Sequence, residues 1–374
     1  MKTFDIAVIG AGLVGASTAY SLAKAGKHVV LFEQFNFLHE RGSSHGASRI
    51  FRYTYEDVRY IDMCLAAYKA WQLLEQETDD RLLFPAGDVD IGDAKTEGFL
   101  AEIAQNLAAR ALDYRYLSLD ETRKRFPAFK LHEGHIILYQ KDAAVLAASR
   151  AINSLLQVSA RQGAVLKEQE RILNVSFVED AVELKSTKGE YRVKKLILAA
   201  GAWTGKILNE LAISLKPEKQ QSLFVRIPQA KGYQLGEMPI FFERSFGIYG
   251  FPSFERPFAI KVGDHYDAPS IDPDNRSFEL DRDIADKTLQ HLQQLLHIEN
   301  HVLDGLTCIY TQSPDQHFIL DRHPKHPQMV IAAGFSGHGF KFGPVLGDIL
   351  MALAYEQEAN LPFDLSLFKL ARLL

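Results

Sequence analysis

"FDIAVIGAGLVGASTAYSLAKAGKHVVLFE", residues 4–33, contains a complete strand–turn–helix–strand unit. The apolar run 4–9 predicts a buried strand, and the helical spacing of 16–25 is followed by Gly26, a residue typical of a helix end. A second buried strand, 28–33, ends at Glu33. This order predicts a parallel βαβ unit of Rossmann type.

The glycines between the first strand and the helix have separate physical roles. Gly10 permits the tight turn, Gly12 lets a pyrophosphate approach the backbone, and Gly15 allows close packing of helix on strand. Glu33 lies about 20 residues further on, where a carboxylate accepts hydrogen bonds from a ribose diol and would repel the extra phosphate of NADP. The alternative is a tight turn without a ligand. The predicted dinucleotide contacts are Gly10, Ala11, Gly12, Leu13, Val14, Gly15 and Glu33.

The segment after this unit distinguishes two dinucleotides. In an NAD-binding fold the next βαβ unit would follow directly. Here residues 42–57 read GSSHGASRIFRYTYED, which is polar and carries Arg49 and Arg52. Strands followed by glycine turns return only at 194–211 (KKLILAAGAWTGKILNEL) and 329–353 (MVIAAGFSGHGFKFGPVLGDILMAL). This spacing favours FAD, threaded through the protein.

The rest of the chain predicts a second unit built on strands. Helices are predicted at 55–77, 97–109 and 279–298, with a capped helix that begins near Ser118. Residues 219–265 alternate apolar and polar side chains, as in an antiparallel sheet. We predict an α/β protein in which a discontinuous Rossmann-type FAD-binding domain (1–80, 145–215 and 320–374) is interleaved with a substrate-binding domain on a mixed or antiparallel sheet (81–144 and 216–319).

Length and composition limit the class of protein. A chain of 374 residues exceeds one ordinary core, so two domains are expected. The net charge of -5, without a basic cluster, argues against nucleic-acid binding. No uncharged apolar run reaches the roughly 18 residues that predict a membrane span. Two distant cysteines do not make a disulfide framework, which favours a reducing cytoplasm.

Several polar groups in apolar or glycine-rich surroundings are candidates for chemistry. Arg49 and Arg52 point to different partners if the chain is extended, and a guanidinium binds carboxylate or phosphate through two hydrogen bonds; the alternative is two ordinary surface arginines. Lys261, in FAIKVGDHY, needs a partner or a task unless it faces water at a strand edge. Four glycines surround His338 and Lys341 in GFSGHGFKFG, which predicts a pocket of backbone amides for a flavin carbonyl region.

Cys308, in GLTCIYT (305–311), is one of two cysteines. Period-2 geometry places Leu306, Cys308 and Tyr310 on one face of a strand. A lone cysteine is most often inert packing, so packing, a nucleophile and an attachment point all stay open. His291 and His297 lie six residues apart on the predicted helix rather than four, and no metal site is predicted.

Seven motifs spread over the whole chain together resemble one family. They are GAGLVG, GSSHGASRIFR, AAGAW, YGFPSF, KVGDH, CIYTQSPDQHFILD and AAGFSGHGFKF. The chain is similar to the monomeric sarcosine oxidase and N-methyltryptophan oxidase family, FAD-dependent amine oxidases of the D-amino-acid oxidase-like superfamily. That family also includes the peroxisomal sarcosine/pipecolate oxidases.

This resemblance implies a cofactor and a set of site residues. FAD is expected to carry a thioether from its 8α-methyl group to Cys308, which matches the cysteine of the family. Arg52 and Lys341 match the pair that binds the substrate carboxylate, and Lys261 matches the lysine implicated in oxygen activation. Arg49 matches a residue against the flavin ring. The other matches line the substrate cavity with catalytic roles (His265, Tyr249 and Tyr310) or hold the cofactor (Ser44, His45, Ile172, Gly201, Trp203, Gly337, His338 and Gly339, with Arg49 and Lys341).

The chain departs from the family pattern in three places. The sarcosine and N-methyltryptophan enzymes usually read Gly-Ser-His-His-Gly and then Thr before the first arginine, whereas this chain has Ser44 and Ser48, closer to the peroxisomal branch. One additional residue lies between YGFPSF and Lys261. FFERSFGIYG (241–250) is bulky where substrate-facing residues fall. These departures leave the cofactor and reaction as expected but leave the substrate open.

The resemblance implies a monomeric oxidase that converts an N-methyl or N-alkyl amino acid to an imine and passes electrons to O2, giving hydrogen peroxide. The cysteine content favours the cytoplasm as its location. One alternative is a flavin dehydrogenase for a cyclic imino acid, such as proline or pipecolate, with a quinone or carrier as acceptor. Another is a non-catalytic flavin-binding subunit. Arg52 and Lys341 argue against the last, because a binding module needs no carboxylate clamp.

Overall fold

A computed structural model describes residues 1–208, 211, 213–265 and 268–374, and these form three sheets flanked by helices. The strands, in chain order, are β1 (Lys2–Ile9), β2 (Val29–Phe32), β3 (Ser48–Phe51), β4 (Leu83–Pro85), β5 (Asp88–Gly92), β6 (Arg115–Leu117), β7 (Ile136–Gln140), β8 (Ala144–Ala147), β9 (Val165–Lys167), β10 (Ile172–Val178), β11 (Ala181–Ser186), β12 (Glu190–Leu198), β13 (Lys216–Arg226), β14 (Ile240–Glu243), β15 (Ile248–Phe251), β16 (Ala259–Asp264), β17 (Val302–Gln312), β18 (Ile319–Arg322) and β19 (Met329–Ala333). The α-helices are α1 (Leu13–Lys24), α2 (Val58–Thr78), α3 (Glu97–Ala109), α4 (Leu119–Arg125), α5 (Ala148–Arg161), α6 (Thr204–Ile207), α7 (Arg282–Leu295) and α8 (Gly343–Ala354). Short 3-10 helices are found at Gly201–Trp203, Phe340–Phe342, Glu358–Asn360, Ser366–Phe368 and Leu370–Leu373.

The first sheet is built around the N-terminal βαβ unit. Its parallel part has the order β19–β12–β1–β2–β9, and β18, β11 and β10 extend it with antiparallel pairs. Along β1, Ile6 and Val8 enter the core beneath α1, α5 and α8, while Ala7 and Ile9 enter the core on the opposite face. A sheet covered on both faces explains the continuous apolar strands of the sequence. The predicted Rossmann-type α/β fold is confirmed.

The second sheet has the order β17–β13–β16–β15–β14–β5–β7–β6 and is mixed, since β14 and β5 pair in parallel while the other pairs are antiparallel. Its strands alternate strictly between two faces. Ile260 and Val262 enter the core beneath α7, so Lys261 between them points to the other face. This second face of the sheet forms one wall of the cavity described below.

A small antiparallel sheet, β3–β8–β4, lies between the other two. It draws β4 from residues assigned above to the substrate-binding domain and β3 from residues assigned to the FAD-binding domain. The larger sheets draw their strands from the segments expected for each domain. The exact domain boundaries stay a prediction.

Two of the predicted helices begin or end at other residues. The helix predicted over 55–77 begins at Val58, because the Asp57 side chain caps it by accepting from the Arg59 N–H at 2.9 Å. The helix predicted over 279–298 ends at Leu295, so the placement of His297 on it is wrong. The N–H of His297 instead donates to the carbonyl of Ala128 at 2.8 Å. Residues 209 and 210 of the predicted glycine-turn segment 194–211 lie outside the described residues.

Within the described part of the chain, no helix has the length and apolar character needed to cross a membrane. The same residues contain no group of three or more His, Cys, Asp or Glu side chains arranged to hold a metal ion.

Candidate active site

A continuous cavity of about 630 Å³ extends from the glycine loop after β1 to the free face of the second sheet. Its wall includes every predicted site residue except Gly15. Gly15 lies beneath the loop, where a Cβ atom would overlap the carbonyl oxygen of Gly10. This position fits the close packing of α1 on β1 that the sequence predicts, and the contact of Gly15 with the cofactor stays a prediction.

The glycine loop is held in a conformation that favours glycine. Gly10 has φ +97°, and a Cβ on it would lie 2.5 Å from the carbonyl oxygen of Ala199. Glu33, at the end of β2, accepts from the Ala11 N–H at 2.9 Å and from the Phe35 N–H at 3.0 Å. Burial alone would raise the pKa of Glu33, but His39 and these amides hold it below its ordinary value. Glu33 is therefore ionised, and it lies at the end of the cavity that the glycine loop lines.

Two residues of the loop between β2 and β3 line the next part of the cavity. Ser44 Oγ accepts from the Leu13 N–H at 3.1 Å, which ties this loop to the start of α1. His45 Nε2 lies 3.0 Å from the carbonyl oxygen of Thr307, and its buried Nδ1 has no hydrogen-bond partner among the described residues. Burial and the charge of Arg49 lower the pKa of His45 to about 4. The ring is therefore neutral, and Nδ1 is available to a bound group.

Cys308 lies on β17 at the centre of the cavity wall. Leu306, Cys308 and Tyr310 all line the cavity, as the period-2 geometry predicts. Burial raises the pKa of the Cys308 thiol, and Arg49, Lys261 and Arg276 oppose that rise. The thiol is protonated at neutral pH, but three cations are close enough to stabilise its thiolate.

Arg49 and Lys261 approach each other from β3 and β16. The Arg49 guanidinium donates to the carbonyls of His45, Ser48 and Ser43 at 2.6, 2.7 and 2.8 Å. Lys261 is 6% exposed, so the alternative of a strand-edge lysine facing water is wrong. Its Nζ donates to Glu255 Oε1 at 2.9 Å and to Ser48 Oγ at 3.2 Å.

Arg52 lies just beyond β3, at the other end of the cavity. One guanidinium nitrogen donates to Thr54 Oγ1 at 2.9 Å and to Asp90 Oδ1 at 3.1 Å, and Asp90 also binds Arg244 Nε at 2.6 Å. Burial opposes the charge of Arg52, but Asp90 and Asp88 hold its pKa above the ordinary value. Arg52 is thus held from behind and remains charged toward the cavity.

Lys341 provides a second cation beside Arg52. Its Nζ donates to the Tyr55 hydroxyl at 2.7 Å and to the carbonyl of His338 at 2.9 Å, while Trp71 Nε1 fixes its backbone by donating to the Lys341 carbonyl at 2.7 Å. The Tyr55 ring is close to both cations, with its centroid 5.9 Å from Arg52 Cζ and 5.1 Å from Lys341 Nζ. Burial lowers the pKa of Lys341 to about 7. The pair forms an anion-binding pocket of which one member titrates.

The titration of Lys341 predicts a pH dependence for anion binding. Because its pKa is lowered to about 7, Lys341 is charged below that pH and neutral above it. We expect the Kd of methoxyacetate, a carboxylate without an amine, to rise up to about tenfold per pH unit above neutrality, until Arg52 alone sustains binding. Isothermal titration from about pH 6 to about pH 9 measures this change. Lys341→Arg, which stays charged, is the control and should give a flat profile; a flat wild-type profile would contradict the assignment.

Part of the cavity wall beside Arg52 and Lys341 is aromatic. His265 lies 5.6 Å from Tyr310 and 5.9 Å from Phe242, measured between ring centroids. Burial together with Arg52, Arg244 and Lys341 lowers the pKa of His265 to about 4, so the imidazole is neutral. Gly337, with φ +79°, leaves room for the ring of Tyr310, which a Cβ would overlap. Tyr249 is buried beside Ser222, with 3.4 Å between their hydroxyl oxygens.

The remaining predicted cofactor residues line the nucleotide end of the cavity. Ile172 lies on β10, and Gly201 and Trp203 form the turn after β12. Trp203 Nε1 donates to Asp274 Oδ1 at 2.7 Å, which fixes the ring. Gly337, His338 and Gly339 line the cavity after β19.

Four residues of this site are absent from the sequence-based prediction. They are Tyr55, Trp71, Asp90 and Glu255. Asp90 had a local signal, because DVDIG alternates acids with buried apolar residues, as an inward-facing charged pair on a strand does. The other three contact groups from distant segments, which no local pattern predicts.

A dinucleotide loop that opens through a shared cavity onto a guanidinium and an ammonium is typical of an oxidoreductase with a nucleotide cofactor. The match to known proteins makes the class specific. The chain belongs to the FAD-dependent oxidoreductase family, whose model matches residues 5–353. The predicted membership is confirmed.

The relatives of the chain cover its whole length. It is 35% identical to the peroxisomal sarcosine oxidase of Mus musculus over 99% of this chain and 96% of the relative. It is 33% identical to the monomeric sarcosine oxidase of Bacillus sp. (strain B-0618), again over 99% and 96%. The structure of NikD, an unusual amino acid oxidase, superimposes with a TM-score of 0.85 over 99% of this chain and 98% of that chain at 23% identity, which shows the shared fold.

The residues present fit FAD. The loop Gly10–Val14 leaves the backbone open to a pyrophosphate, Glu33 is placed for a ribose, and the buried His45 Nδ1 awaits a partner among the described residues. Cys308, Arg49 and Lys261 line the same cavity as the glycine loop and the anion-binding pocket.

Proposed function

We propose that this protein is an oxidase of secondary amines that acts on an N-methyl or N-alkyl amino acid and uses dioxygen as its acceptor. The observation that carries the proposal is the placement of Arg52 and Lys341 side by side at the end of the FAD-binding cavity. A carboxylate held by both would present its amine toward Arg49, Lys261 and Cys308. The names of the relatives, sarcosine oxidases, support the same substrate class.

Each residue of the cavity then has a physical task. FAD, when bound, supplies the acceptor for the hydride equivalent from the carbon next to the amine. Arg52 and Lys341 fix the carboxylate, which orients the reacting C–H bond. The neutral His265 and the aromatic wall of Phe242 and Tyr310 exclude water without competing for the amine proton. Lys261 places a positive charge where negative charge develops on oxygen.

The proposed products follow from the chemistry of the amine. Removal of a hydride equivalent and a proton gives an imine, which water hydrolyses. An N-methyl amino acid then gives formaldehyde and the free amino acid, and two electrons and two protons convert O2 to H2O2. The proposal also takes the protein to be a cytoplasmic monomer with the two-domain division given above.

We further propose that Cys308 anchors the flavin through an 8α-thioether. Cys308 would hold the flavin through this C–S bond. Its formation would remove the thiol proton and one hydrogen of the 8α-methyl group, an overall two-electron oxidation for which dioxygen would be the acceptor, giving H2O2. The cations Arg49, Lys261 and Arg276 favour the thiolate needed for attack, although burial opposes it.

The proposed function is tested by anaerobic bleaching of the flavin absorbance with a panel of amino acids. The panel contains sarcosine, other N-methyl amino acids, proline and pipecolate, each beside its ester, which lacks the carboxylate. We expect at least one free acid to bleach the flavin and its ester to fail. In air, one H2O2 per turnover supports the oxidase, whereas bleaching without peroxide favours the dehydrogenase. Absence of bleaching with every member would favour the non-catalytic subunit.

The proposed role of Lys261 predicts a selective defect. Lys261→Met removes the charge but keeps a similar apolar stem, so reoxidation of the reduced flavin by O2 should slow by about 10²–10³-fold. Reduction by the amino acid should change much less, because Lys261 lies apart from Arg52 and Lys341. Stopped-flow measurement of both half-reactions checks this. Equal slowing of both would refute the oxygen role.

A further inference from the structure

Glu255 forms a closed triangle with Lys261 and Ser48. Its Oε1 accepts from Lys261 Nζ at 2.9 Å and from Ser48 Oγ, and Ser48 Oγ accepts from Lys261 Nζ at 3.2 Å. The side chains of Lys261 and Glu255 are only 6% and 9% exposed. Lys261 lines the cavity and Glu255 does not, so the carboxylate lies behind the ammonium as seen from the cavity. Glu255 therefore acts on the cavity through Lys261.

The connection that carries Glu255 is firmly held. Glu255 lies between β15 and β16. On one side of it, the Phe254 ring packs 4.9 Å from Phe84. On the other, Arg256 forms an ion pair with Asp304 at 2.6 Å. These contacts fix the position of the carboxylate beside Lys261.

The charged and titratable groups that face Lys261 come from four elements. Arg49 on β3 is a cation, His45 in the preceding loop is neutral, and the Cys308 thiol on β17 is neutral because burial raises its pKa. Glu255 is ionised: burial opposes this, but Lys261 and Ser48 hold its pKa below the ordinary value. Burial and Arg49 in turn lower the pKa of Lys261, and Glu255 opposes them. Glu255 is thus the anion of this group.

The triangle also orients the ammonium. An ammonium has three N–H bonds, and Lys261 Nζ has three acceptors: Glu255 Oε1 at 2.9 Å, Ser48 Oγ at 3.2 Å and the Ser48 carbonyl oxygen at 3.4 Å. These contacts hold the ammonium at the cavity wall. A lysine buried beside Arg49 without a counter-ion would lose its proton more readily, because both burial and a like charge disfavour its charged form.

We propose that Glu255 is a positioning residue that keeps Lys261 charged and held at the cavity wall, and thereby sets the pH range over which the reduced enzyme reacts with dioxygen. This inference rests on the proposed oxidase function. A neutral side chain at position 255 would leave the hydrogen bonds of the triangle but remove the charge that retains the proton on Lys261.

The test compares the oxygen reaction of wild-type and Glu255→Gln holoenzyme after anaerobic reduction by substrate. We expect the alkaline loss of the bimolecular rate constant with O2 to move at least about one pH unit lower in Glu255→Gln. The rate constant should then be roughly threefold lower than in the wild type midway between the two midpoints, and roughly tenfold lower well above the higher midpoint. Glu255→Asp, which restores the charge, should recover most of the shift. In a Lys261→Met background, Glu255→Gln should produce no further shift, since its effect passes through Lys261. The rate of reduction by substrate should change by less than about threefold.

The possible outcomes distinguish a failure of this inference from a failure of the proposed oxidase function. A wild-type enzyme that forms no peroxide would contradict both the proposed oxidase function and the role of Glu255. A wild-type enzyme that forms peroxide, with a Lys261-dependent oxygen rate and a pH profile that Glu255→Gln leaves in place, overturns the role of Glu255 alone. If Glu255→Gln does not retain flavin, Lys261→Arg is the second test. A guanidinium does not lose its proton, so this variant shows whether deprotonation at position 261 causes the alkaline loss of rate. That variant should show no alkaline loss, and a persisting loss overturns the proposal.

Discussion

Replacing Arg52 with methionine is expected to lower kcat/KM for the amino acid substrate by about 10²–10³-fold, because truncating one member of a buried, hydrogen-bonded charge pair costs about 2–5 kcal/mol. Arg52 is held by Thr54 and Asp90, so its free edge is already oriented for a carboxylate. The fold should survive, since Asp90 keeps its ion pair with Arg244. Steady-state kinetics with the best substrate of the bleaching panel measure the loss.

Two further variants make the Arg52 experiment specific. Arg52→Lys keeps the charge but not the planar fork, and an intermediate loss of about tenfold is expected. Arg192→Ala is the control, because it removes a half-exposed arginine of β12 that pairs with Glu183 at 2.9 Å and does not line the cavity. With this variant kcat/KM should stay within about twofold. An Arg52→Met enzyme with wild-type KM and kcat would contradict the carboxylate pocket.

Replacing Cys308 with serine is expected to abolish covalent retention of the flavin. Serine is nearly isosteric, but its hydroxyl is far less acidic than a thiol, so the nucleophile required for the C–S bond is lost. After acid denaturation of flavin-replete protein, the yellow colour should remain with the wild-type chain and wash away from Cys308→Ser. Intact-mass spectrometry should show the mass of the flavin on the wild-type chain alone.

The second cysteine provides a matched control for this result. Cys64 is buried in α2, and burial raises its pKa to about 12. Cys64→Ala removes an equivalent thiol that lies off the cavity wall, so the flavin should stay attached. A wild-type chain that loses its flavin in acid would leave Cys308 as a buried thiol. The amine oxidase function does not depend on the outcome.

The parts of the structure that follow from local chemistry were accessible from the sequence. The glycine spacing and Glu33 predict the βαβ unit because the role of each residue depends only on neighbours within about 30 residues of chain. The inward direction of Lys261 follows from the period of two along β16, once Ile260 and Val262 are assigned to the core. Cys308 and Tyr310 share a wall for the same reason.

The parts that depend on contacts between distant segments were not accessible. Tyr55 enters the anion pocket only because α2 and the loop after β19 meet, which places its hydroxyl 2.7 Å from Lys341 Nζ. Glu255 is one acid in a short connection until folding places Ser48 beside it. The helix before His297 ends early because its backbone pairs with Ala128 instead of continuing the helix. In each case a tertiary partner overrides the local preference.

The order of strands in the first sheet has a consequence for the biosynthesis of the protein. β1 pairs with β2 and β12, and β12 pairs with β19, so the first sheet is completed only after residues near the C-terminus have been synthesised. The cavity wall likewise needs Gly10, Cys308 and Lys341 together. A nascent chain therefore has no complete binding site for the flavin. Pairing between strands that are far apart in the sequence also makes folding slow. Yellow colour that survives denaturation would mark a chain that has finished folding at least once.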